Sequence, residues 1–181
     1  MIKHIIVLII TAISILQQSN FAIMNRIIHD ETLIAPGVGA EKIILNETVS
    51  KLNDTYQGLE YRTAKLKEES DLFRDVLKLN MSIGIKFNEI RYFYSNNAVV
   101  FLKNNIVQTV AGLNTDRITV DTVDLMRGTS YFILNYGNAS LQILKESGGN
   151  AYIYPTKGIA ILDDNNDDSI DLYFVFPPVK Q

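Results

Sequence analysis

From Gly84 onward, apolar and polar residues trade places with a period near two. Ile85, Phe87, Glu89, Arg91 and Phe93 alternate with Lys86, Asn88, Ile90, Tyr92 and Tyr94, which predicts a strand with two partly apolar faces. Asn96-Asn97 and Asn104-Asn105 are turn signals. They bracket predicted strands over Ala98–Leu102 and Ile106–Ala111, and such short spacing predicts an antiparallel meander. The alternation returns over Arg117–Met126. Ser140–Lys145 and Ala151–Tyr154 flank the predicted hairpin turn Glu146-Ser147-Gly148-Gly149, and Gly158–Leu162 is expected to pair with Ile170–Phe176. In the last strand Ile170, Leu172, Phe174 and Phe176 form one apolar face, and Pro177-Pro178 stops further pairing.

Two short stretches carry a helical period instead. In the first, Lys42–Leu45 predicts a strand and Asn46 a helix cap. Glu47 then suits the positive helix end, and Val49, Leu52 and Tyr56 fall at i, i+3 and i+7. In the second, Arg127-Gly128-Thr129-Ser130 opens a helix that buries Phe132, Ile133 and Tyr136 and ends at Gly137. Between them Gly58–Asn80 is densely charged. Leu59, Leu66, Phe73 and Leu77 lie near one helical face, which predicts a solvated amphipathic helix or insertion, or a helix that docks on a partner. Pro36-Gly37-Val38-Gly39 predicts a tight turn. It lacks the third glycine and the GK[ST] of nucleotide loops.

The two helical stretches align with one another. Leu45-Asn46-Glu47-Thr48 with Leu52 matches Arg127-Gly128-Thr129-Ser130 with Leu134, and Gly84-Ile85 with Phe87 matches Gly158-Ile159 with Ile161. The expected fold is therefore α+β, with two tandem strand–helix–antiparallel-strand repeats and helices packed on one side of the sheet. Residues 36–114 form repeat 1, including the charged insertion 58–80, and residues 115–181 form repeat 2. Across Ile34–Pro178, Pro36-Gly37-Val38-Gly39, Leu45-Asn46-Glu47-Thr48 and Gly128-Thr129-Ser130 with Tyr136-Gly137 resemble the repeat of exported bacterial α+β domains. Those domains share an architecture with the β-lactamase-inhibitor-protein-like and small outer-membrane-assembly lipoprotein families. The resemblance implies an exported, non-enzymatic, often protein-binding module and transfers no functional residue.

The first 22 residues point the same way. Lys3 gives a positive start, Ile5–Leu16 is a 12-residue apolar run, and Gln17–Ala22 is polar and ends in a small residue. That order is the secretory pattern, with cleavage expected after Ala22, although Asn20 sits where a small residue is preferred. An uncleaved anchor is the alternative. Residues 23–35 then read as an N-terminal arm. Periplasmic or secreted localisation follows.

Composition narrows the chemistry. Apolar residues make up 47% of 181, enough for a packed core. Net charge is −3 with no concentration of Lys and Arg, so no nucleic-acid surface is expected. There is no cysteine, which excludes disulfides, thiolate metal sites, a Cys nucleophile and a lipid-bearing N-terminal Cys.

His29 is the one histidine outside the signal. Ser130 lacks a G-x-S-x-G elbow. Asp163-Asp164-Asn165-Asn166-Asp167-Asp168 is the sharpest polar cluster. Asp163, Asn165 and Asp167 fit the first EF-hand positions, but Asp168 stands at the glycine position and Phe174 at the closing glutamate, so a plain turn is expected. No catalytic, cofactor-binding or metal-ligating residue is assigned. The expected function is a non-enzymatic protein-binding or scaffolding module of the cell envelope. Its partner would be another envelope or exported protein, met through a sheet face or the Gly58–Asn80 helix. The alternative is a small-ligand binder or envelope enzyme with a pocket between the repeats.

Overall fold

The computed structural model describes residues 18, 21–55, 61–64, 79, 82–93, 98–112, 116–144 and 149–179. Residues 21–29 form helix α1. After it come β1 (Leu33–Ala35), β2 (Gly39–Ala40), β3 (Ile43–Ile44), α2 (Val49–Thr55), β4 (Tyr61–Ala64), β5 (Glu89–Phe93), β6 (Ala98–Lys103) and β7 (Ile106–Gly112). The second half holds β8 (Ile118–Thr119), a 3-10 turn (Leu125–Arg127), α3 (Gly128–Tyr136), β9 (Leu141–Leu144), β10 (Asn150–Tyr154), β11 (Ile159–Asp163) and β12 (Leu172–Val175). The chain is α+β.

The large sheet has eight strands in the order β4-β5-β6-β7-β12-β11-β10-β9. Every pair in it is antiparallel. Two four-stranded meanders thus meet at β7 and β12, where Val110, Ala111 and Gly112 face Val175, Phe174 and Tyr173. A small sheet, β3-β2-β1-β8, lies beside it and joins the two halves through the parallel pair β1–β8.

The predicted meander is present. Asn104 and Asn105 link β6 to β7 with φ of 51° and 63°, the left-handed pair that a two-residue hairpin needs. β12 alternates its side chains as expected, but both faces are buried. Leu172, Phe174 and Phe176 enter one core cluster, while Tyr173 and Val175 enter the opposite one. Burial on both faces explains why polar residues are scarce in the central strands.

On one face the large sheet is covered by α2, α3 and the small sheet, through Leu52, Phe132, Tyr136, Ile34, Ile43 and Leu45. On the other it meets Leu79, Ile83, Ile85 and Phe87. Helices on one side alone is therefore corrected, because Leu79 is a helical residue on the second face. The far side of the small sheet holds a third cluster of Leu33, Ala35 and Ile44 with Ile27 of α1.

Several local expectations change. Tyr61–Ala64, inside the stretch read as helical, is an edge strand paired with β5, while Leu59, Leu66, Phe73 and Leu77 lie outside the described residues. Residues 85–88 precede β5 rather than belonging to it. The 23–35 arm is part helix and part strand. Asn46 does not cap α2. It sits in a left-handed turn (φ 64°) and its amide donates to the Val107 carbonyl, so the chain enters α2 tied to β7. The alignment of Leu52 with Leu134 also fails, since Leu52 is 3% exposed and Leu134 is 81% exposed.

The glycine turn is as expected. Gly37 (φ 72°) donates its amide to the Gly158 carbonyl at 3.1 Å. A Cβ on Gly158 would lie 2.3 Å from the Phe176 carbonyl oxygen and 2.7 Å from the Gly37 Cα, so backbone meets backbone there with no room for a side chain.

Candidate functional site

The strongest charged arrangement is buried between the two sheets. Glu41 and Lys42 form the two-residue turn from β2 to β3, both with positive φ (54° and 64°). Lys42 reaches outward to Glu31 at 3.1 Å. Glu41 is directed inward and is 1% exposed. Arg117, just before β8, meets it with Nε to Oε1 at 2.7 Å and Nη2 to Oε2 at 3.2 Å, a two-pronged guanidinium–carboxylate pair. The Tyr173 hydroxyl of β12 also donates to Glu41 Oε1. The other Arg117 nitrogen donates to the exposed Asp116 carboxylate.

Gly112 makes this geometry possible. A Cβ there would lie 2.2 Å from Tyr173 Cζ. The glycine leaves the ring free to lie across β7 and carry its hydroxyl to Glu41. Burial, then the Glu41 charge and hydrogen bond, push the Tyr173 hydroxyl well above its ordinary pKa of 10.0, so it stays protonated. Burial would lower Arg117, but the hydrogen bond and charge of Glu41 outweigh it and hold the guanidinium above its usual value.

Chemically this is a closed tie. The Glu41 oxygens accept from Arg117 and Tyr173. Among the described residues no buried side-chain nitrogen or oxygen lacks a hydrogen-bond partner. Sequence reasoning passed over all three residues. Glu41 and Arg117 stand 76 positions apart, and no local spacing announces a pair of that kind.

The Asp163–Asp168 run folds on itself. The Asp163 carboxylate, 2% exposed, accepts the amides of Asp167 at 3.1 Å and Asp168 at 3.2 Å. Asp171 accepts the Asp164 amide, and Asp167 accepts that of Ser169. Asn166 and Asp168 have φ of 55° and 70°. Among the described residues no group of three or more His, Asp or Glu could hold a metal.

Asp168 has a further role. It accepts the Ser130 amide at 2.6 Å and its carbonyl accepts the Thr129 amide at 2.9 Å, so it caps α3 from another segment. Those bonds to Ser130 hold its carboxyl below the ordinary 3.8. A depressed folded pKa stabilises the fold above the unfolded value and loses that contribution as pH falls through the folded one. Asp168→Asn should lower the melting temperature at neutral pH, with the gap to the parent closing in acid below pH 3.8. A gap that stays constant with pH would remove the charged cap from the account.

His29 is exposed at the end of α1. Ser130 is exposed and its amide is taken by Asp168. The Gly37 amide, which a phosphate loop would need free, is taken by Gly158. Among the described residues the central strands β6, β7, β11 and β12 are largely buried on both sides. The most exposed large apolar side chains among the described residues are Leu134 (81%) on α3, Phe21 (73%) on α1 and Met126 (71%) in the 3-10 turn, while Ile106 of β7 and Ile118 of β8 are each 37% exposed. Next to Met126, the Arg127 guanidinium lies 3.7 Å from the Tyr131 ring centroid.

No protein-family model and no curated protein matches this chain. Among solved structures it is similar to the crystal structure of the uncharacterized protein yfeY from Escherichia coli. That match has 10% identity and a TM-score of 0.45, and it covers 81% of this chain and 99% of that one.

Proposed function

We propose that this chain is an exported, non-enzymatic binding or scaffolding module of the cell envelope that meets another envelope or exported protein. The exposure of Leu134 and Met126 on and beside α3 carries the reading. Two large apolar side chains held in water on a well-packed helix and its lead-in turn gain free energy when a partner covers them. The adjoining Arg127–Tyr131 pair supplies residue types enriched at protein interfaces. The internally satisfied Glu41–Arg117–Tyr173 tie supports the non-enzymatic part, since its polar groups are spent on one another. Export rests on the order of charge, apolar run and small residue over residues 1–22.

In the same proposal the two four-stranded meanders are copies of one unit. The mirrored strand order about β7 and β12 supports that reading. The copies then align by sheet position, β7 with β12 and β4 with β9.

A photo-crosslinking residue placed at Leu134 in the full chain tests the interface in cells. One dominant protein adduct at 134, absent from the exposed position Lys103, is the expected result. Equal labelling at both positions, or none at 134, would end the α3 reading.

A further inference from the structure

We propose that α1 is the interfacial half of a membrane anchor, with Phe21 and Ile28 lying against a lipid surface. The inference goes beyond the protein-binding reading and does not depend on it.

At about 100° per residue, Ile23 and Ile27 share one face of α1. That face is docked: Ile27 is fully buried, and Ile23 and Met24 pack on Leu33, Ala35 and Ile44 of the small sheet. Phe21 and Ile28, seven positions apart, stack on the adjoining face and are 73% and 40% exposed. Asn25, Arg26 and His29 fill the remaining arc and are exposed. The apolar arc is therefore wider than docking on the small sheet requires.

The chain just upstream indicates what covers the rest. Ile5–Leu16 is a 12-residue apolar run ending five positions before Phe21, and Gln18 between them is helical. Twelve apolar residues fall short of the roughly 20 that a membrane span needs. The run is a weak anchor alone. A second weak contact in the headgroup region turns reversible attachment into a stable one. The open face of α1 has the composition for that contact, with Arg26 on the polar side. Among the described residues no helix is long and apolar enough to cross a membrane.

The absence of cysteine makes the test direct. Ile28→Cys and Arg26→Cys versions of the full chain would carry a polarity-sensitive fluorophore on phosphatidylethanolamine–phosphatidylglycerol vesicles. The probe at 28 should shift to the blue and be quenched by a lipid-borne quencher several-fold more than the probe at 26. Protein recovered from the membrane fraction should retain residues 1–22 by intact mass. Equal quenching at the two positions would overturn the proposal, as would a chain starting at Ile23, which lacks Phe21. A blue shift at 28 that grows with protein concentration without vesicles would assign the face to a second copy instead.

Discussion

Arg117→Met is expected to remove about 3–5 kcal/mol of folding stability, because it strands the Glu41 carboxylate in the core. The residue is 7% exposed, and its partner Glu41 is 1% exposed, so water cannot replace the lost bonds. Urea unfolding should show a lower midpoint with an unchanged slope. Converting the whole tie to apolar residues (Glu41→Leu with Arg117→Met and Tyr173→Phe) should recover most of the loss, since no charge is then left unpaired. If the triple variant is as unstable as the single one, the tie is not the source.

Tyr173 adds a pH signature. Its folded pKa is raised, so its contribution is complete below pH 10.0 and is lost as pH rises toward the folded value. Tyr173→Phe should therefore flatten the alkaline limb of the stability profile.

Phe132→Ala is expected to cost about 3–5 kcal/mol, whereas Leu134→Ala should stay within about 0.5 kcal/mol. The two residues are neighbours on one short helix. Phe132 is fully buried, with its ring stacked on Tyr136 at 4.3 Å and tilted against Tyr154 at 5.8 Å. Leu134 is open to solvent. Thermal melts of both variants decide the packing register of α3. Comparable losses would mean that Leu134 is buried and cannot be a contact residue. A stable Leu134→Ala that also loses its crosslinked partner would separate binding from folding.

Local chemistry announced the parts of the fold that local chemistry determines. Asn104-Asn105 favours the left-handed turn that β6 and β7 need, and Gly137 closes α3 by donating to the Ile133 carbonyl. Phe132 and Tyr136 were legible because their i, i+4 spacing is the buried spacing.

Tyr61–Ala64 was not legible. Its β-forming Tyr and Thr stand among charged residues whose spacing also suits a helix, and pairing with β5 decides. Asn46 and Leu134 failed for a shared reason. A repeat aligned on caps and hydroxyls takes its register from turn residues, and turns recur for steric reasons unrelated to which face is buried. The Glu41 tie depends on three segments meeting in space. Only the glycine at 112 hinted that something large crosses that strand.

The seam between the meanders also bears on how the chain folds. Within the large sheet, β7–β12 joins strands far apart in sequence, with Val110 facing Val175 across 175 − 110 = 65 positions. The pairs within each half join neighbouring strands in chain order. Loop-closure entropy rises slowly with length, so the seam costs little more at equilibrium than a shorter closure. Its cost falls on the rate, because long-range pairing must absorb that entropy before contacts repay it. The seam and the still longer-range β1–β8 pair, with Leu33 facing Ile118 across 118 − 33 = 85 positions, are therefore expected to form later than the pairs within each half.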